Sequence, residues 1–179
     1  MVGMRKTRIG AVLLAGFAVT VGGCSSAGGG AQQGAPEPAL NVLASVDPCQ
    51  VLGEQDLQAL GVSAPGEPLD QGIGEKACEF SGDALDLSVV KGEQSSLAYW
   101  EGRRSNMAVF ETNKVGQRDG AKMISTASVG NGVCSQAIFV GQGSVSIQVT
   151  TSSASYQNDE ATCAKAMEIA QVAEKKLPK

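Results

Sequence analysis

The chain has 179 residues, of which 42% are hydrophobic and 23 are glycine. Eighteen acidic side chains outnumber 14 basic ones, and the chain has no histidine. This length suits one domain with a real core, and the acidic balance argues against a nucleic-acid-binding protein because phosphates require clustered lysine and arginine. The lack of histidine excludes a Ser-His-Asp triad and a His-containing zinc centre.

Residues 1–23 have the features of a secretory signal peptide. Arg5, Lys6 and Arg8 form a positive start, and residues 9–23 follow without a charge. As a helix, this uncharged run would span roughly 22 Å, which is short of the ~30 Å hydrocarbon core of a bilayer. A cleaved signal peptide is therefore favoured over a permanent membrane span.

The signal peptide ends in a sequence that resembles a bacterial lipobox. The small residues Gly22 and Gly23 precede Cys24, and Ser25 follows it. In this interpretation the Cys24 thiol takes a diacylglyceryl group before cleavage, and acyl chains contribute about 0.8 kcal/mol per buried CH₂ to membrane binding. The alternative is ordinary secretion with an accidental thiol. The lipobox predicts a palmitate-type lipid anchor at the extracytoplasmic face of the cell membrane.

Residues 24–45 form a predicted flexible linker. The segment after Cys24 is rich in Gly, Ala, Gln and Pro and carries one charged residue, Glu37. Such a composition buries too little apolar surface to offset the entropy of ordering. We therefore expect a tether between the membrane and a single folded domain at residues 46–179.

The domain opens with a predicted helix. Asp47 is a suitable N-cap and Pro48 a suitable first helical residue. Gly53 interrupts the helix, residues 54–60 continue it, and Gly61 provides its stop. The Gly- and Pro-rich residues 62–74 are predicted to form a loop.

Alternating apolar and polar residues predict two hairpins in the remainder of the domain. The clearer one pairs residues 133–140 with 145–151, and the other pairs 76–81 with 85–90. Between them we expect a short helix at 95–104 and one or two strands within 109–128; a long helix capped by Asn158 closes the chain. The predicted fold class is α+β, an antiparallel sheet with helices packed on it.

The four cysteines of the predicted domain indicate two disulfides. An even count in an exported protein is typical of an oxidised framework, and three connectivities are compatible with it. We prefer Cys49–Cys78 and Cys134–Cys163, because each pair would join a predicted helix to a neighbouring strand. No pair has CxxC spacing, so neither a metal site nor redox catalysis is predicted.

No catalytic constellation is recognisable, and no cofactor is predicted. The chain lacks the G-x-S-x-G and P-loop motifs. Two carboxylate pairs occur, but turn chemistry explains Asp83 and Asp86, and helix capping explains Asp159 and Glu160. The sequence therefore favours a protein that is not an enzyme.

Tyr99 and Trp100 are adjacent aromatic residues in the short helix predicted at 95–104. On a helix, adjacent side chains point about 100° apart. One of them is therefore expected in the core and the other at the surface. We expect Trp100 to pack in the core, and we treat the pair as a candidate partner surface.

Several short motifs resemble actinobacterial lipoproteins of domain-of-unknown-function family 3558. They are Asp47-Pro48-Cys49, the helix ending in Leu60-Gly61, Cys78-Glu79-Phe80, and Val129-Gly130-Asn131-Gly132-Val133. The resemblance covers roughly residues 40–179. The family commonly has Trp in place of Phe80 and Gly-Asp in place of Gly130-Asn131. The resemblance implies an envelope lipoprotein and supplies no catalytic residue.

Three functional hypotheses follow. The first is a lipid-anchored, non-enzymatic domain that binds another envelope protein or a wall component. The second is an extracytoplasmic carrier of a small apolar ligand, which a cavity lined by Val145, Ile147, Met167 and Ala170 would favour. The third is an enzyme that uses carboxylates alone, which would need two acidic side chains about 5–9 Å apart in a cleft.

Overall fold

A computed structural model describes residues 41–70, 72 and 74–179. The predicted signal peptide, Cys24 and the linker as far as residue 40 lie outside the described residues. In the described part, seven strands form one antiparallel sheet in the order β1-β2-β3-β7-β6-β5-β4. The strands are β1 Glu67–Asp70, β2 Glu75–Phe80, β3 Leu85–Gly92, β4 Met107–Val115, β5 Arg118–Ser125, β6 Val133–Val140 and β7 Gly143–Thr151. The helices are α1 Glu54–Leu60, α2 Leu97–Glu101 and α3 Asp159–Glu174.

Apolar side chains at alternate positions of β7 lie on the face of the sheet that α3 covers. Val145, Ile147 and Val149 are fully buried beneath α3. Small side chains at Ala166 and Ala170 let this helix lie close to the strands. α1 packs on the same face, so the main core lies between the sheet and these two helices. The predicted α+β architecture is thus confirmed.

Capping residues fix the ends of the helices as the sequence predicts. The Asn158 side chain accepts a hydrogen bond of 2.8 Å from the backbone N–H of Ala161 at the start of α3. Asp47 caps a short 3-10 turn at Pro48–Gln50, and α1 ends at Gly61, whose φ of 70° lies in the left-handed region that glycine adopts without strain. Within the described chain, none of the helices has the length and apolarity needed to cross a membrane.

Both preferred disulfides are present. Cys49 and Cys78 join the first 3-10 turn to β2, with Cα atoms 5.0 Å apart. Cys134 and Cys163 join β6 to α3, with Cα atoms 5.1 Å apart. The predicted pairing is therefore confirmed, and both bonds lie on the face of the sheet that carries the main core.

Four sequence-based boundaries need correction. Residues 67–70 lie in the predicted loop but form β1, an edge strand whose exposed side chains hide it from pattern analysis. The helix expected at 95–104 covers only Leu97–Glu101, since Gly102 ends it. The ambiguous region resolves into β4 and β5, and β4 contains a register shift between Met107 and Val109.

The domain starts earlier in the chain than the sequence predicts. Leu43 lies in the predicted linker, but only 1% of it is exposed, and it packs in the main core. The buried Lys91 Nζ donates to the carbonyl oxygens of Leu43 and Ala44, at 3.2 and 3.5 Å. The packed domain therefore begins before residue 46.

Candidate functional site

The second face of the sheet carries α2 and the two aromatic residues that the sequence singles out. The Ser96 Oγ accepts a 3.3 Å hydrogen bond from the Tyr99 N–H and starts this helix. The rings of Tyr99 and Trp100 meet edge to face, with centroids 5.3 Å apart. Trp100 packs against a second apolar cluster formed by Phe110, Ala121, Met123 and Ala137. The prediction that Trp100 contributes to a core is confirmed in part, since the indole is half-buried.

Two cavities lie beside the Trp100 indole, with volumes of about 180 and 160 Å³. Both are lined by Trp100, Met123, Ser135 and Gln148. We call this pair of cavities the Trp100 cleft. It exists because α2 is a short helix lying over strands whose side chains on this face are small and polar.

The polar strip of the cleft follows directly from the alternation of β7. Val145 and Ile147 face α3, so Ser144, Ser146 and Gln148 face α2. Ser144 and Ser146 are 2% and 8% exposed, although their side chains are polar. Sequence patterning alone assigns them to a solvated face, and it therefore misses their role as the floor of a cleft.

One unsatisfied donor belongs to a residue that lines the cleft. The Trp100 Nε1 is buried and has no hydrogen-bond partner among the described residues. By contrast, the Glu75 carboxylate at the cavity wall accepts a 2.7 Å hydrogen bond from Ser95. A buried polar group without a partner costs roughly 1–3 kcal/mol, so the position of the indole is maintained by the packing of its ring.

The rim of α2 is basic, in contrast to the acidic chain. The Arg103 guanidinium lies 3.6 Å from the centroid of the Tyr99 ring. Arg104 lies 5.4 Å from the centroid of Phe110. Both arginines are exposed, and cations over aromatic faces are stabilised at exposed sites by about 0.5–1 kcal/mol. Tyr99 is half-buried, as Trp100 is, so the expectation that one ring lies in the core and the other at the surface is not met.

A second concavity lies between α1 and α3. It has a volume of about 350 Å³, and buried Leu52, Leu85 and Ile169 form its apolar floor. Asp56 lies at its edge, where a 2.6 Å hydrogen bond from Lys176 lowers the pKa of its carboxyl group. We call this concavity the α1–α3 groove.

The apolar cavity that would favour a carrier is not found where the sequence analysis places it. Val145, Ile147 and Ala170 are 0% exposed and belong to the packed core. The sheet and α3 are in direct contact there, because the helix contributes alanine at these positions. An apolar ligand would instead have to use the α1–α3 groove.

The carboxylate pairs have structural partners. Asp86 accepts from the Gly82 N–H at 3.3 Å, and Asp159 accepts from the Gly130 N–H and the Tyr156 hydroxyl at 2.9 and 3.0 Å. Burial, followed by the bond to Asp159, raises the pKa of Tyr156. Among residues 41–70, 72 and 74–179, no three potential metal ligands come together.

The chain matches one family model over most of its length. Residues 19–176 match the family described as "Protein of unknown function (DUF3558)". The chain belongs to this family. No curated protein and no solved structure matches the chain. The DUF3558 match covers the whole sheet and nearly all of the described domain, and it assigns no role to any residue.

Proposed function

We propose that this DUF3558 protein is a lipid-anchored protein of an actinobacterial cell envelope whose domain binds a partner without catalysing a reaction. The partner is another envelope protein or a wall component, and the binding site is the Trp100 cleft, with the Tyr99 ring packed on Trp100. The observation that carries the binding proposal is the Trp100 cleft itself, whose two cavities are both lined by Trp100, Ser135 and Gln148.

The sequence supports the anchor. A positive start, an uncharged run, two glycines and Cys24 occur in the order that a lipobox requires. The family match begins at residue 19, so Cys24 lies within the matched region. Two disulfides in the domain favour an oxidising compartment outside the cytoplasm.

Detergent-phase partitioning tests the anchor. The Cys24→Ala variant should leave the detergent phase for the aqueous phase, because it lacks the acceptor for the acyl chains. A Cys49→Ala and Cys78→Ala double variant provides a control that loses two other cysteines, and their disulfide, but keeps Cys24. Unchanged partitioning of Cys24→Ala would contradict the lipid anchor.

Site-directed photocrosslinking on intact cells tests the binding face. A benzoylphenylalanine at position 99 should give a discrete adduct, because the Tyr99 ring packs edge to face on Trp100, which lines the cleft. The same group at Gln171, an exposed residue of α3 on the opposite face, provides the matched control. Adducts from position 171 alone, or none from position 99, would contradict this placement of the site.

The α1–α3 groove favours one alternative function, an extracytoplasmic carrier of a small apolar ligand. The groove has an apolar floor, and its volume of about 350 Å³ lies within the range of volumes of small-molecule sites. A fluorescent fatty acid would then bind the wild type and fail to bind Ala59→Trp, whose new ring would fill the groove. Gln58→Trp, on the exposed part of α1, should bind as the wild type does. Equal binding by both variants would exclude this groove.

A further inference from the structure

We infer that the Trp100 cleft binds a neutral sugar ring of a glycan. This inference rests on the proposed function, since it names the chemical class of the partner at the same site. The contributing groups are the Trp100 indole and the polar side chains of β6 and β7 beneath it.

The Trp100 side chain lines both cavities of the cleft. Its Nε1 is almost closed to solvent and has no partner among the described residues. The indole therefore offers a ligand its apolar ring, and the hydrogen bonds to a ligand must come from the polar side chains of the floor.

The floor of the cleft is polar. Ser144 and Ser146 present hydroxyl groups, each of which is both a donor and an acceptor. The Ser135 hydroxyl donates a 3.4 Å hydrogen bond to the Gln148 Oε1, which leaves the amide N–H group of Gln148 as a further donor. A ligand hydroxyl is also both a donor and an acceptor. This floor therefore complements a ligand with several hydroxyl groups better than a ligand with a single kind of polar group.

The charge beside the floor favours a neutral ligand. Glu75 is the charged residue that lines the cavity of about 180 Å³. Its Oε1 already accepts from Ser95, and its negative charge would repel an anionic ligand. Phosphate and carboxylate groups are therefore disfavoured next to the floor. The exposed Arg103 and Arg104 beyond α2 do not line either cavity, so a neutral ligand is favoured there.

The shape of the cleft also suits a sugar ring. Trp100 and Met123 provide apolar surface beside the polar floor, which matches the apolar C–H face and hydroxyl edge of a sugar ring. Each cavity is small beside the roughly 300–1,000 Å³ of pockets for drug-sized ligands, so each admits one ring. The neighbouring units of the glycan would then extend along the surface of the sheet.

Fluorescence titration of the intact protein in detergent micelles tests this inference. Trp100 is the single tryptophan of the chain, so its emission reports the cleft directly. The probes are neutral disaccharides of glucose, mannose, galactose, arabinose and N-acetylglucosamine. At least one of them should shift the emission in a saturable manner. A flat response to all of them would overturn the inference.

A pair of serine variants adds a test that does not depend on the indole. Ser146→Ala removes a hydroxyl from the cleft without adding volume and should weaken sugar binding by about tenfold, the effect of losing one hydrogen bond. Ser153→Ala, in an exposed loop, should bind as the wild type does. Equal affinity of both variants for the sugar would place the binding elsewhere and overturn the inference.

The outcomes also separate this inference from the proposed function. If position 99 crosslinks to a protein and no disaccharide binds, the sugar inference fails and the binding face stands. If position 99 gives no adduct and no disaccharide binds, both fail.

Discussion

Replacing Cys134 and Cys163 by alanine removes the covalent link between β6 and α3. The two residues are 29 positions apart, and a loop of that length contributes about 3.6 kcal/mol through the entropy of the unfolded chain. With an unfolding entropy of about 2.1 cal/mol/K per residue over roughly 140 domain residues, this loss lowers the melting temperature by about 12 °C. The domain should remain folded at room temperature with much reduced stability.

The second disulfide provides an internal comparison. Cys49 and Cys78 are also 29 residues apart, so the same argument predicts the same loss of about 3.6 kcal/mol for their double alanine variant. Burial distinguishes the pairs, since Cys134 and Cys163 are both buried whereas Cys49 is only half-buried. We therefore expect the Cys134 and Cys163 variant to be equally or slightly more destabilised.

Urea unfolding without reductant measures both losses. The fluorescence of Trp100 reports unfolding, and linear extrapolation gives the free energy of unfolding in water. A loss below about 1 kcal/mol in both variants would refute the reasoning, because the entropy of a loop this long exceeds that value several-fold. A much larger loss for the Cys49 and Cys78 pair would contradict the ranking by burial.

Four further variants, one of them a control, test packing and charge. Gly120→Ala should destabilise the sheet by about 1–3 kcal/mol in urea unfolding, because its Cβ would lie 2.6 Å from a carbonyl oxygen of β6. Gly102→Ala is the control and should be near neutral, because its Cβ would meet nothing closer than 3.5 Å. Equal losses of stability in the two variants would contradict this reasoning. Lys176→Met should cost about 0.2–1 kcal/mol at pH 7. Lys176 lowers the pKa of Asp56 in the folded state, so the stability difference between the variant and the wild type is fully present above the pKa of Asp56 in the unfolded chain. It disappears as the pH falls through the pKa of Asp56 in the folded state. A loss of stability that persists at pH 2 would contradict the ion pair. Lys91→Met should expose the segment at residues 41–46 to limited proteolysis, because two backbone carbonyls lose their donor; unchanged cleavage would contradict that role.

Strong periodicity allowed most of the fold to be predicted. The β6–β7 hairpin was predictable because Val145, Ile147 and Val149 alternate with polar residues, and α3 because Asn158 and two acidic residues mark its start. β1 was not predictable, since its four residues are exposed and backbone pairing with β2 holds it in place. The division between β4 and β5 was obscured by an irregular register near Met107.

The candidate site was predictable only in part. Tyr99 and Trp100 were singled out as adjacent aromatic residues on a predicted helix, and in the structure Trp100 lines the cleft with the Tyr99 ring packed on it. The floor was not predictable, because serine on alternate positions of β7 also fits an ordinary solvated face. Ser144 and Ser146 are buried, and residues of three other elements, Glu75 of β2, Val90 of β3 and Trp100 of α2, line the same cavity.

Mass spectrometry of the amino-terminal peptide of the protein isolated from cell membranes tests the proposed anchor most directly. The proposal predicts that the peptide begins at Cys24 and carries the added mass of a diacylglyceryl group, with or without a further acyl chain. A peptide with an unmodified Cys24 thiol, or one that still carries residues 1–23, would contradict it.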